Sequence, residues 1–497
     1  MTEKRPLHLV LLGGGHAHVH IIKSLGLPHN QQWRQEYGVE VTVIAKDLWT
    51  PYSGMLPGYV AGHYAEERDI CLDLVPLCQF AGAQLIHATA NRIDMTKEKD
   101  EKLASSSLLL RELASFSFAP TTGGGRGGWV YCQDGRPPIY FDALSIDIGI
   151  TPSVPPPLYR NGIEHNNDNA TDIGGIIPVK PISNFCRYYR QLQQRILEKC
   201  HSGHTNNHHV IAVIGGGAGG IELALALEYF FRTKQQERQQ QEDDNQHHHG
   251  PNDDDNDPIV QVMVLTRSKV LLEQHNTKVQ QIFRRILQER SVGVFYQAEV
   301  VGVESVSMDR DEQHNKKKLV FSSSSSPHTD NNKTNDPSSL LQTKAEQPET
   351  RDDIIVDDVL WCTQASAASW LSEATPLETT SAGHFVKVAS TYESVSHKGV
   401  FACGDCCHMV VHPRPKAGVF AVRAGPPLLE NLKHYLSNQP LEEHIPQQDF
   451  LGIISTGDKY AVASKGWWFA LEGSWMWTLK DYIDRTWMDQ YRNLASD

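Results

Sequence analysis

The part of this chain richest in chemistry is LLGGGHAHVHII, residues 11–22, where His16, His18 and His20 alternate directly after Gly13, Gly14 and Gly15. Alternate residues on a strand share a face, so alternating histidines there could grip a metal ion. Glycines placed between a strand and a helix could instead form a phosphate turn, with the helix N-terminus facing the anion. On a helix, residues two apart lie about 200° apart and cannot jointly hold one ion. The two readings therefore separate on whether His16 begins a helix.

A second glycine cluster is cleaner. Gly215-x-Gly217-x-x-Gly220 follows the apolar run HHVIAVI and precedes AGGIELALALEYFF, residues 218–231. In such a turn the first glycine makes the tight bend, the second lets backbone approach a pyrophosphate, and the third lets helix and sheet pack closely. The first cluster has the same spacing, Gly13-x-Gly15-x-x-His18, with Ala17 inside it and histidine at the third position. His18 is expected to push the helix slightly off the sheet or to turn its side chain aside.

Strands and helices must hold both turns. LHLVLL (7–12) and VEVTVIA (39–45) read as strands flanking a helix that ends near Gly26, and IVQVMVLT (259–266) reads as the strand after the second helix. Two β-Gly-α-β units imply an α/β chain with two Rossmann-like dinucleotide-binding domains and parallel sheets. The expected division is 1–175 and 389–440 for the first domain, 176–388 for the second, and 441–497 for a C-terminal α+β extension.

Composition bounds the rest. The chain has 497 residues, 40% of them apolar, and nine irregularly spaced cysteines, which suits a reducing compartment better than a disulfide framework. No apolar run is long enough to span a bilayer. MTEKRP leads into a strand within six residues, so no targeting leader is expected, and a cytoplasmic location follows. The net charge is −13, and residues 232–258 alone hold eight acids against three bases. No basic stripe suits nucleic acid. Three segments, about 100–128, 232–258 and about 306–353, read as polar insertions and mobile loops. The run His247, His248 and His249 lies in the second and reads as polar tract rather than metal site.

The sequence resembles the two-dinucleotide-domain flavoproteins, the pyridine nucleotide-disulfide oxidoreductase superfamily, in its type II NADH dehydrogenase-like branch. It is closest to the flavoprotein module associated with selenide, water dikinase. GGGHAHVH, DLWTPYSGMLPGYVAGHY, LSIDIGITP, IPVKPISNF, RPKAGVFAVRAGPPLLENL and FLGIISTGDKYAVASKG carry that resemblance over residues 13–466. It implies FAD on the first unit and NADPH or NADH on the second. Gly13, Gly14, Gly15, His16, Ala17 and His18 would form the flavin's phosphate turn, with Gly149 nearby. GVFACGD places Gly404 and Asp405 at the flavin ribityl and pyrophosphate. Thr50, Pro51, Tyr52 and Ser53 would line the flavin. Lys180 would lie near its ring, and Glu222 between nicotinamide and flavin. Lys416, Ala417 and Gly418 would start a helix aimed at the pyrimidine ring.

Several departures limit what the resemblance implies. Residues 50–59 hold no cysteine where disulfide reductases keep their redox pair, and Cys71 and Cys78 come too late. Cys403 and Cys406 form a CxxC whose Gly-Asp is committed to the flavin motif; Cys403 reads as core packing, with Cys406 and Cys407 more exposed. Ala424 replaces a usual glutamine and weakens a quinone assignment, and Gln364 replaces a glycine. Where an acid commonly binds the ribose, the first unit offers Ala45, Lys46 and Asp47, and the second Thr266 and Arg267. An arginine without an acid suits the 2′-phosphate of NADPH. The expected activity is NAD(P)H oxidation with a quinone-like or selenium acceptor, against a redox-sensing flavoprotein with little turnover. Trp467, Trp468, Trp475, Trp477 and Trp487 suggest either a hairpin and helix packed over the flavin domain, which is favoured, or a membrane-surface patch.

Overall fold

A computed structural model describes residues 5–95, 127–152, 176–201, 208–245, 260–306, 316–322, 354–363 and 365–494. The first unit is β1 (Leu7–Leu12), α1 (His16–Leu25) and β2 (Val39–Ala45), with the third strand β3 (Ala143–Ile146). Leu9 to Leu12 are at most 2% exposed. Such a strand carries an unbroken apolar run because both faces of a parallel sheet are covered. The five strands lie in the order Val400–Ala402, β3, β1, β2, Gln84–His87, all parallel.

The second unit repeats this plan with β4 (His209–Ile214), α2 (Ala218–Asn245) and β5 (Val260–Leu265). Its parallel sheet runs Ile176–Pro178, Asp358–Trp361, β4, β5, Gly293–Phe295. In both sheets the first strand of the unit lies at the centre. The glycine turn at its carboxyl end therefore opens where the strand order reverses, the usual ligand crevice of such sheets.

After α3 (Gly418–Leu436) comes an antiparallel meander of Gly452–Ser455, Ala461–Lys465 and Phe469–Gly473, and the chain's last helix is α4 (Ser474–Arg492). The meander and α4 form a C-terminal α+β extension. Among the described residues no helix is long and apolar enough to cross a membrane.

Two of the segments read as insertions are partly folded. Residues 232–245 continue α2, because Gln, Glu, Lys and Arg are good helix formers and Arg232 pairs with Glu228 one turn away at 2.5 Å. Lys316–Phe321 is a strand paired antiparallel to Val300–Val306, and its Leu319 is fully buried. The first insertion lies outside the described residues up to 126, and Gly128 already begins a strand. His247, His248, His249 and Gln364 also lie outside the described residues.

Candidate dinucleotide and redox site

His16 begins a helix, so the alternating histidines diverge. His16 lies edge-on to Tyr52 and Trp487, with ring centroids 5.2 Å from each. His20 faces Ser24 and Tyr491. Among the described residues no three His, Cys, Asp or Glu side chains group so as to hold a metal ion.

His18 keeps its side chain inside the turn rather than aside. It is fully buried, its Nδ1 donating to Gly13 O at 2.8 Å and its Nε2 accepting from Ser145 Oγ at 2.8 Å. Only a neutral imidazole can donate on one side and accept on the other. It ties the glycine turn to β3, where a glycine would have left a gap. Burial pushes the imidazole down from 6.5 to about 4. The unfolded chain therefore takes up a proton that the folded chain refuses as pH falls between those values. His18 costs no stability above 6.5 and about 1.4 kcal/mol per pH unit below it, until its folded pKa is reached. Thermal unfolding of the wild type and His18→Gln at pH 7 and pH 5 should show the wild type losing roughly 2 kcal/mol more on acidification. Equal losses would remove this account of His18.

The turn itself is held from three sides. Gly13 N donates to Ile44 O at 2.7 Å and Gly15 N to Asp147 O at 3.0 Å. Thr50 Oγ1 donates to Gly14 O at 2.8 Å, which fixes the 50–53 segment against the turn. The Asp147 carboxylate, 2% exposed, accepts from Ala17 N at 3.1 Å and His18 N at 3.4 Å and so caps α1. Burial raises Asp147 to about 6, against the pull of His16.

Asp147 was not singled out from the sequence. It stands in LSIDIGI as the one acid within an apolar strand end, a signal that was present. Gly149 follows it with φ of +72°.

Lys180 and Asp405 meet, with Nζ 2.9 Å from Oδ2. Lys180 follows the edge strand of the second sheet and Asp405 follows the edge strand of the first, so this ion pair joins the two units, as Arg190–Glu67 also does. The segment 50–53 is covered by the extension: Tyr52 stacks on Trp487 with centroids 4.6 Å apart. Lys480 on α4 donates to Gly54 O at 2.5 Å and to Asp484 at 2.6 Å. Trp487 packs over this segment as the favoured reading of the tryptophans expected, whereas Lys480 and Asp484 went unnoticed in the sequence because nothing local links them to position 52.

Glu222 lies on α2 with its carboxylate accepting from Ser455 N at 2.8 Å and Ser455 Oγ at 3.1 Å. Burial raises its pKa, opposed by Lys480. α3 begins at Gly418 with Ala417 as N-cap, as expected, but Lys416 is turned to Cys407 O and lies 4.2 Å over the Phe385 ring. Asp47 lies exposed beyond β2, next to Lys46, and accepts from Ser183 Oγ at 3.0 Å. Arg267 is exposed beyond β5.

The cysteines differ from expectation. Cys406 and Cys407 are buried like Cys403, because the Gly-Asp turn folds back under β3, with Cys406 Sγ 3.6 Å from Ile146 O. Burial pushes the Cys407 thiol up to about 12, as it does Cys71 and Cys78. None of these is poised as a thiolate.

Both cradles suit a dinucleotide. A Cβ added at Gly217 or Gly219 would meet nothing within 4 Å, so space lies open at the start of α2. In the first unit His16 Nε2 is buried without a protein partner beside the helix N-terminus. Lys180 adds a cation there, and Asp405 can accept from hydroxyls.

Residues 181–425, just under half of the chain, match the family described as pyridine nucleotide-disulphide oxidoreductase. No protein of curated function matches the sequence. Among solved structures, the chain is similar to the sulfide:quinone oxidoreductase of the hyperthermophilic bacterium Aquifex aeolicus, with TM-score 0.60 and 15% identity over 98% of this chain and 92% of that one. The NAD-dependent persulfide reductase of A. fulgidus gives 0.58 and 15% over 93% and 64%. Putidaredoxin reductase in its covalent complex with putidaredoxin gives 0.55 and 14% over 93% and 82%. These likenesses establish the α/β fold with its two Rossmann-like parallel sheets. The match supports the pyridine nucleotide-disulfide oxidoreductase superfamily, whose cofactors are FAD and NAD(P)H.

Proposed function

We propose that this chain is an FAD-dependent NAD(P)H oxidoreductase that passes electrons to a small acceptor of the quinone type. The observation that carries the reading is the Lys180–Asp405 pair, which brings the edges of the two nucleotide units to one point. Bound FAD supplies a two-electron acceptor for hydride.

The protein's part is position and charge. α1 and its turn hold a pyrophosphate, and Asp405 accepts from hydroxyls while Lys180 keeps it oriented. The start of α3 supplies positive potential over the 50–54 segment, while Lys480, paired with Asp484, holds Gly54 in place. Glu222, fixed by Ser455 and with its proton held to higher pH than an ordinary glutamate, guards the entry of the nicotinamide end. With none of the described cysteines near the two turns poised as a thiolate, no electron relay through a cysteine pair is proposed.

An absorption spectrum of the purified protein, followed by anaerobic NADPH and then NADH, tests this. Flavin bands that bleach are expected. A yellow protein bleached by neither nucleotide would favour the redox-sensing alternative. A protein that stays colourless with added FAD would end the proposal.

The exposed arginine beyond β5 suits the 2′-phosphate of NADPH. Arg267→Ala should weaken NADPH by ~1.5–3 kcal/mol, the range for a hydrogen bond to a charged group, and NADH by much less. Binding titrations with both nucleotides decide it, and equal losses would return Arg267 to plain solvent exposure.

A selenium acceptor has only the dikinase-module resemblance in its support. Peripheral membrane contact has one observation in its favour: Trp467, Trp468 and Trp475 are 86%, 58% and 55% exposed. Trp477 and Trp487 pack inward, against His63 and Tyr52.

A further inference from the structure

A partly open recess of about 580 Å³, counting its mouth, lies between the first turns of α3, the strand Cys407–Met409 and the segment around Pro446. Residues 13–18, 50–54, 147 and 180 do not line it, whereas Gly404, Asp405 and Lys416, which the resemblance assigns to the flavin, lie on its border. Its walls carry three full cations, Arg414, Lys416 and Arg423, and one carboxylate, Asp405, which Lys180 already engages. Among the described residues, none of these three cations has a salt bridge to a carboxylate. Arg414 donates instead to Pro446 O at 2.8 Å. Its Nε is buried with no acceptor, and so is Nε2 of Gln447 on the same wall.

Two buried donors without acceptors and an unneutralised cluster of cations ask for the same ligand. Buried donors are normally satisfied, and a guanidinium fork is matched by a planar or tetrahedral oxyanion. A neutral quinone could offer its carbonyls to the donors but would leave the cations uncompensated. We infer that this recess, between Arg414 and Arg423 with Gln447 at its side, binds a small oxyanion, the phosphate-like or carboxylate group of a small molecule. Arg423 is exposed and free to close over the bound anion, while Arg414 is held in place by Pro446. Gly404 and Asp405 form the floor, so the bound charge would sit against the same turn that faces the flavin site. The inference needs no flavin chemistry, although the recess shares the Gly404–Asp405 turn and Lys416 with the proposed flavin site.

Calorimetric titration of the FAD-loaded protein with inorganic phosphate, at constant ionic strength and with NADP+ saturating, tests it. One saturable site per chain is expected. Arg414→Gln and Arg423→Gln should each weaken it roughly tenfold, equal to about 1.4 kcal/mol. The flavin spectrum and far-ultraviolet circular dichroism should stay unchanged. Arg423 is exposed, so its variant reports even if Arg414→Gln fails to fold. Glycerol 3-phosphate titrated alongside separates the two sources of the charge: tighter binding than phosphate points to an organic phosphate, equal binding to the free ion, and either supports the site. No saturable binding, binding indifferent to both variants, or binding only to protein stripped of FAD would overturn the inference.

Discussion

Gly15→Ala should give a protein that no longer retains FAD. A Cβ at this position would fall 2.1–2.3 Å from the three carboxyl atoms of Asp147. Neither side can yield cheaply. Gly15 N is bonded to Asp147 O, and the carboxylate is bonded to the first amides of α1. Overpacking a tight site costs ~1–3 kcal/mol, so FAD affinity should fall roughly tenfold to a hundredfold. The flavin-to-protein ratio after gel filtration measures it. Adding Asp147→Ala to this variant removes the obstructing carboxyl and should restore part of the flavin, at about 1 kcal/mol for the lost cap. If the double variant binds no better than Gly15→Ala, the close approach is not the reason for glycine there.

The second large effect is expected at Gly220→Ala, with the opposite phenotype. The new Cβ would lie 2.0 Å from Gly215 O, a backbone atom inside the turn. The turn is itself pinned, with Gly215 N donating to Leu265 O at 2.8 Å. α2 would have to move away from the sheet, and with it the amides that face the nucleotide. The protein should remain yellow, since the first unit is untouched, yet NAD(P)H affinity should fall by ~1–3 kcal/mol. Anaerobic bleaching should then need roughly tenfold to a hundredfold more NADPH. A variant reduced as readily as the wild type would mean that the second cradle does not carry the nicotinamide nucleotide.

The central elements were legible because their signals are local. Apolar runs of six or seven residues located β1, β2 and β4 to within a residue, glycine follows β1 and β4, and the glycine spacing located both turns. The chemistry at the turns was legible only in part. His18 was recognised as the odd third position, but its partner Ser145 lies 127 residues away and has no counterpart in the local pattern. Asp147 sits in an apolar strand end, where one acid reads as a boundary. The pairing of Lys180 with Asp405 needed the fold itself, since 225 residues separate them. Charge misled at 232–245, where acids and glutamines read as solvated loop but also propagate a helix.

The contribution of Val400–Ala402 to the first sheet has a consequence in time. β3 at residues 143–146 is complete only when this strand lies along its other edge. The Gly404–Asp405 turn depends on the same strand, and α4 covers the 50–54 segment later still. A chain emerging from the ribosome can finish the second nucleotide unit, residues 176–361, from continuous sequence. The first unit must wait with the outer edge of β3 unpaired until residue 402 has been made. Long-range closures of this kind are slow and leave strand edges exposed in the interval. The unit that begins synthesis thus matures last, and flavin loading is a late event in the life of the new chain.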